Sequence, residues 1–335
     1  MAKWYRDSLY QSDIVLSTRV RLARNVSGIP FPHRMSDDDA KRVIELTKNA
    51  LGASGLDFEG KDILSLSGAE LEMLVEQRFI SPNLARKKRP SAVFISSDES
   101  LSVMVNEEDH IRMQAIFSGF ECDRAYELIS RLDASVADSI SYAVHSKYGY
   151  LTSCLTNVGT GMRISCMMHL PAICKANIAD KLFGALGKLG ITVRGMYGEG
   201  SKAMGYLFQI SNQTTLGLSE KEIILRFNDV VNQLISKERE LRQNLHKTQG
   251  ASLEDKIMRS LGILKSARLL SSKEMLNLFS NVRWGISLGL IGDIEPGTLS
   301  RLMVETSPAH LSMDEAGERD LKRAQIVRKT LKGEL

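Results

Sequence analysis

The chain has 335 residues, with 44 Lys+Arg against 40 Asp+Glu and a net charge of +4. So even a balance excludes a dedicated nucleic-acid coat, and no direct nucleic-acid partner is expected. Apolar content of 43% and charged content of 25% are those of a soluble globular protein large enough for two domains. No apolar run is long enough to span a bilayer, so no membrane partner is expected either. Residues 1–7 lack a signal-peptide core. Cys122, Cys154, Cys166 and Cys174 show neither CxxC spacing nor a nearby His pair. Zinc and a disulfide framework are therefore not expected, and the chain reads as cytoplasmic and reduced.

Taken in chain order, residues 13–25 alternate as a strand. Ile14, Leu16, Thr18, Val20 and Leu22 share one face, while Ser17, Arg19 and Arg21 share the other. Two guanidiniums on one face repel unless an anion lies opposite, and phosphate suits the guanidinium fork. The basic run at residues 86–90 reads as a solvated loop. Residues 101–105 form a β-branched strand that ends in Asn106-Glu107-Glu108-Asp109-His110-Ile111-Arg112. Three carboxylates at a strand end are costly unless a cationic partner sits there. Residues 162–169 place Arg163 and Ser165 on one strand face, after Gly159-Thr160-Gly161. Residues 191–194 end in Arg194 and lead into a loop with three glycines and Glu199. Such a loop lets phosphate approach the backbone.

Beyond about residue 215 the patterns are almost all helical. Ser219 with Glu222, Ser271 with Glu274 and Ser312 with Glu315 each have capping-box spacing. We divide the chain into a mixed domain over residues 1–245 and an all-helical domain over residues 250–335. On a helix over 313–331, Met313, Ala316, Ala324, Val327 and Leu331 form one apolar stripe with Asp320 in its middle. Arg319 and Arg323 flank it. A carboxylate so placed requires a cationic partner. There is no GxxxxGK[ST] loop, no His-Arg-Asp loop and no Asp-Phe-Gly. If the chain handles nucleotide phosphates, it does so with arginines carried on strands.

Five segments together resemble the phosphagen (guanidino) kinases. They are Ser17-Thr18-Arg19-Val20-Arg21, residues 106–112, Cys154-Leu155-Thr156-Asn157-Val158-Gly159-Thr160, Arg163, and Arg194-Gly195-Met196-Tyr197-Gly198-Glu199. The helical domain that precedes the catalytic domain in creatine and arginine kinases has no counterpart in these residues. A helical domain follows instead, carrying Arg319-Asp320-Leu321-Lys322-Arg323-Ala324, and this arrangement is similar to the bacterial protein-arginine kinases of the family. The resemblance implies an α+β catalytic domain, an antiparallel sheet flanked by helices, followed by an all-α regulatory and dimerisation domain.

It also implies an ATP- and Mg2+-dependent transfer of phosphate to arginine side chains of proteins. Arg19, Arg21, Arg112, Arg163 and Arg194 would cradle the ATP phosphates. The wider ATP site would take in Ser17, Thr18, Val20, Ile164, Ser165, Cys166, Met167, Gly195, Met196, Tyr197, Gly198 and Glu199. Glu107 would reach the metal through water. Glu108 and Glu199 would orient the acceptor guanidinium and take its proton, with Cys154 completing a negative clamp. Two positions depart from the family pattern. Leu155 stands where proline usually follows the cysteine, and Arg78 stands where relatives tend to carry a histidine near the nucleotide. Residues 319–324 would form an allosteric phosphoarginine site, with an ion-pair network as the competing reading. Implied partners are protein substrates with exposed arginines, a zinc-binding activator, Clp-type protease machinery, a stress-response repressor and a second copy in a homodimer. A small-molecule guanidino kinase and a non-catalytic phosphoarginine adaptor remain the alternatives.

Overall fold

The computed structural model describes residues 4–6, 10–196, 203–313 and 315–334. In chain order the strands are β1 (Val15–Arg24), β2 (Phe58–Asp62), β3 (Ala92–Ser96), β4 (Leu101–Val105), β5 (Ile111–Ser118), β6 (Val144–His145), β7 (Gly149–Tyr150), β8 (Met162–His169), β9 (Ile191–Gly195) and β10 (Leu207–Asn212). The helices are α1 (Asp37–Ala53), α2 (Gly68–Glu76), α3 (Pro82–Ala85), α4 (Cys122–Ala137), α5 (Pro171–Lys175), α6 (Ala179–Lys188), α7 (Glu220–Ser266), α8 (Ser272–Ser287), α9 (Pro296–Glu305), α10 (Pro308–Leu311) and α11 (Ala316–Leu331). Eight strands form one sheet in the order β2-β3-β4-β5-β1-β8-β10-β9, antiparallel at every pairing; β6 and β7 make a separate hairpin. The α+β architecture expected from the sequence is the one observed.

Strand alternation sorts the sheet into two faces. Val20 and Leu22 of β1, Met113 and Ala115 of β5, and Ile164, Cys166 and Met168 of β8 point to the back, into a core shared with α1, α4 and α7. Helix α4 buries Cys122, Ala125, Ile129, Leu132 and Val136, a stripe at helical spacing. Each large aliphatic side chain removed from water there stabilises by about 2 kcal/mol. The register of β1 shifts at a bulge between Val15 and Ser17. Leu16 thereby leaves the face assigned to it from simple alternation and joins the core of the helical region.

The front face is covered from two sides. Helices α2 and α3, with Trp4, pack on β3 and β4. Helices α8, α9 and α11 and the second half of α7 enclose a separate core that takes in Met167 and Leu207 from the sheet. Between these two covers lies an open cleft. Helix α7 starts at the capping box of Ser219 and Glu222 and runs 47 residues across the expected interdomain segment, kinked at Gly250 (φ 36°, ψ −117°). Its buried Glu238–Arg242 ion pair ties the two regions together. Glu238 accepts the N–H groups of Ala172 and Ile173, and Arg242 donates to the His169 carbonyl and to Ser287. Ser312 does not start a helix. It ends α10 in the left-handed region (φ 51°), and α11 begins at Glu315 with no side-chain cap.

Candidate active site

The register brings the five predicted arginines to one face. Arg21 pairs across with Arg163, Arg19 with Ser165, and Gln209 of β10 with both Met167 and Arg194. On the other side of β1, Arg21 faces Gln114, two residues along β5 from Arg112. Arg19, Arg21, Arg112, Arg163 and Arg194 thus share the front of the sheet, and four of them line a cleft of about 680 Å³. Arg21 and Arg163 are direct cross-strand neighbours, so their like charges repel unless an anion lies over them. Burial, followed by Arg78, Arg112 and Arg163, pushes the Arg19 guanidinium down to about 9. Burial and its arginine neighbours also lower Arg21, and burial with Arg194 and Arg112 lowers Arg163. The buried Nε atoms of Arg21 and Arg163 have no hydrogen-bond partner among the described residues. A polyanion over this face would satisfy those donors and relieve the repulsion.

The acidic segment divides into separate tasks. Asn106 turns the chain in the left-handed region (φ 62°) and donates to the carbonyls of Ala40 and Pro90. Glu107 is buried. Its Oε1 accepts from Ser81 (2.6 Å), and its Oε2 accepts from the Glu108 N–H (2.8 Å) and Arg112 (2.9 Å). Burial works against this carboxylate, yet Arg112, Ser81 and Glu108 together hold it below the ordinary glutamate range. Asp109 is buried and accepts from Asn25 and from the Ser153 N–H. His110 accepts the Val26 N–H at Nδ1, which leaves Nε2 to donate to the Pro30 carbonyl. This is a neutral structural histidine, and burial lowers its pKa further. Of the charged residues in the loop, Glu108 is the exposed one.

Asp109 also ties this loop to the segment that carries Cys154. Its bond to Ser153 holds the backbone just before Cys154, whose Sγ lies 3.0 Å from the Thr156 hydroxyl. Arg24, buried in an ion pair with Asp133, donates to the Thr160 carbonyl and stacks 3.6 Å from the Tyr150 ring. Gly161 adopts φ +64°, and a Cβ there would lie 2.5 Å from the Ala23 carbonyl oxygen, so only glycine fits this turn onto β1. Glu107 ties Arg112 to the loop that carries Glu108, and Asp109 of the same loop holds Ser153 just before Cys154, so both residues belong to the Arg112 end of the platform.

Several sequence assignments need correction. The side chains of Thr18, Val20, Ile164 and Cys166 point away from the arginines, because adjacent strand residues alternate; all four are fully buried on the back of the sheet. Thr18 spends its hydroxyl on the Gly119 carbonyl and contacts Cys166. Ser17, Ser165, Met167, Gly195 and Met196 lie on the cleft side. Arg78 lines the cleft with φ +66°, and its guanidinium sits 5.3 Å above the Trp4 ring. Glu107 is first of all the anchor of Arg112, with both oxygens already accepting hydrogen bonds. Tyr197, Gly198 and Glu199 lie outside the described residues. Sequence reasoning missed Ser81, Gln114, Gln209 and Ser211. Ser211 accepts from Arg163 at 3.1 Å, and only strand register could have placed it there.

The C-terminal motif is also rearranged. Arg323 is buried, donating to the carbonyls of Thr306 and Leu270 and to Asp320, so it is committed within the protein. Arg319 donates to the Met313 carbonyl, while Leu321 and Lys322 are exposed and Ala324 is buried. Ala316 is exposed, so the buried stripe consists of Arg323, Ala324, Val327 and Leu331.

Residues 42–241 match the ATP:guanido phosphotransferase C-terminal catalytic domain, and residues 250–334 match the protein-arginine kinase McsB C-terminal domain. The chain is 45% identical to a protein-arginine kinase of Clostridium acetobutylicum, covering 99% of this chain and 100% of that one. It is 43% identical to that of Geobacillus stearothermophilus, covering 100% and 94%. Lombricine kinase shares the fold, with a TM-score of 0.62 at 22% identity over 70% of this chain and 68% of that one. The domain match covers most of the sheet and the identity extends over the full length, so the chain belongs to the ATP:guanido phosphotransferase family, among its protein-arginine kinases.

Proposed function

We propose that this chain transfers the γ-phosphoryl group of ATP to arginine side chains of proteins. The observation that carries the reading is the platform of five arginines on one sheet face, with the loop of exposed Glu108 bonded to Arg112 through Glu107 and to the Cys154 segment through Asp109. Phosphoryl transfer relies on positioning and on neutralising phosphate charge, and the arginines supply both. The acceptor guanidinium is a poor nucleophile until it sheds a proton. Glu108 orients it and takes that proton as a guanidino nitrogen bonds to phosphorus and the bridging oxygen leaves with ADP. Cys154 adds negative character beside the guanidinium, and Glu199 is proposed as a second carboxylate. Mg2+ bound to the phosphates would supply further charge neutralisation, and Glu107, with both oxygens engaged, would meet it only through water. An acceptor end at the rim suits an arginine borne on a protein surface.

Family membership supports further proposals. Phosphorylated proteins would pass to a Clp-type protease, a stress-response repressor would be inactivated, and a zinc-binding protein would act as activator. Residues 319–324 would sense phosphoarginine; exposed Leu321 and Lys322 and half-buried Arg319 and Asp320 are the parts of the motif open to a ligand. Exposed Met258, Ile263, Leu269 and Leu321 support a homodimer through the helical domain. No described helix is long and apolar enough to cross a membrane. The four free cysteines support a cytoplasmic location.

The test is phosphorus NMR and acid lability of a protein substrate incubated with ATP, beside free arginine. An acid-labile N-phosphate on protein arginine is expected. Turnover of free arginine alone would replace the reading with a small-molecule guanidino kinase, and no ATP consumption with protein acceptor would leave an adaptor.

A further inference from the structure

The arginine cleft has two unlike ends. Glu107 joins Arg112 to the Glu108 loop and Asp109 joins that loop to Ser153 beside Cys154, and Arg112 pairs with Ala23 just beyond Arg21, so the reacting phosphate belongs at the Arg112–Arg21 end. Along β1 the chain then runs from Arg21 through Arg19 to Ser17, about 13 Å at 3.3 Å per residue. At that far end, where Gln209 and Arg194 share the Ser17 row, apolar side chains join the lining. Trp4 and Met196 stand on the catalytic side, while Met303 and Val304 of α9, Ser307 and Pro308 stand on the helical side. Those four residues belong to the C-terminal domain. Val304 packs into the cluster around Trp4 and Ile116, and Met303 into the helical core. The wall is held in place from both sides. Glu76 of α2 accepts the N–H groups of Ala309 and His310 and pairs with His310 at 2.7 Å, while Arg323 holds the Thr306 carbonyl.

From this geometry we infer that the helical domain forms one wall of the nucleobase subsite, with Met303, Val304 and Pro308 facing the base and Trp4 and Arg78 lying across from them. A flat aromatic base matches the apolar lining, and a polarisable methionine suits a π-face. The planar Arg78 guanidinium, already seated over Trp4, offers a stacking surface. The proposal rests on the nucleotide reading above and assigns the C-terminal domain a direct part in ATP binding.

Two measurements on the full chain test it. In the first, wild-type protein is photolabelled with 8-azido-ATP and the peptides are mapped. Label on residues 303–308 that excess ATP suppresses is expected; label confined to catalytic-domain peptides overturns the inference. If nothing is labelled in an ATP-protected manner and inorganic tripolyphosphate also fails to bind, the nucleotide reading itself falls. In the second, Met303→Ala should weaken ADP binding about tenfold while leaving tripolyphosphate affinity within about twofold, and Met303→Leu should restore most of the ADP affinity. Equal weakening toward both anions would put Met303 in the fold rather than at the base and would overturn the assignment.

Discussion

Glu107→Gln separates anchoring from chemistry in the acidic loop. In the wild type two carboxylate oxygens accept from three donors, namely Ser81, the Glu108 N–H and Arg112. Glutamine has the same shape but replaces one oxygen with a donor. At least one of the three donors then meets an NH2 group, two if that group takes the Oε2 position, and Arg112 loses its counter-charge beside four other arginines. Breaking a buried ion pair on one side costs about 3 kcal/mol, which for a chain of this size is a fall of roughly 5 °C in melting temperature. The sign with pH is fixed by the direction of the shift. The Glu107 carboxyl is held below its ordinary value of 4.5, so its contribution is complete above that value and is lost as pH falls through the lower folded value. The gap between wild type and Glu107→Gln should therefore be full at pH 7 and close progressively below about pH 4. A saturating nucleotide gives Arg112 another counter-charge, so ADP should raise the melting temperature of the variant more than that of the wild type. Thermal unfolding across pH, with and without ADP, provides the measurement. A variant as stable as wild type at pH 7, or a gap that persists unchanged at pH 3, would refute the anchoring argument.

Other perturbations address the remaining parts of the site. Arg21→Met should weaken tripolyphosphate and ATP binding by roughly 10- to 100-fold, the loss of one charge-assisted contact, while raising apo stability through reduced repulsion; a calorimetric titration and a melting curve check both signs. Glu108→Gln should abolish transfer while ATP still binds, and turnover near the wild-type rate would remove Glu108 from the acceptor role. Asp109→Ala releases both Ser153 and Asn25, so kcat with a protein acceptor should drop while ADP affinity changes little. Arg323→Ala strands the Thr306 and Leu270 carbonyls and should cost about 3 kcal/mol by chemical denaturation. Asp320→Ala should retain basal transfer but lose any response to added phosphoarginine; an unchanged response would leave residues 319–324 as an ion-pair network.

Much of this was legible in one dimension because strand alternation is a local rule. Arg19 and Arg21 had to share a face, and so did Arg163 and Ser165. The same rule, applied residue by residue, would have excluded Thr18, Val20, Ile164 and Cys166 from the cleft, where contiguous motifs had carried them in. Capping succeeded at Ser219, where an amphipathic helix follows with a buried face. It failed at Ser312, where the preceding short helix needed a left-handed residue to end it. A hydroxyl and a glutamate three residues apart do not report which neighbour claims the backbone.

The antiparallel α+β class came from the family resemblance; by itself, the sequence determined a mixed strand-and-helix region, the helical C-terminal region, the absence of a P-loop and the set of arginines that must find an anion. These follow from periodicity, composition and charge, which act over a few residues. Only the tertiary structure decided which of three adjacent carboxylates is buried as an anchor, which one pins the cysteine loop and which one is exposed. It alone placed Met303 and Val304 against a cleft whose other walls run from Trp4 to Gln209, and it turned Arg323 inward. Those outcomes depend on sheet register and on packing between distant helices, and a residue's burial and hydrogen-bond partners are properties of the assembled neighbourhood rather than of the residue.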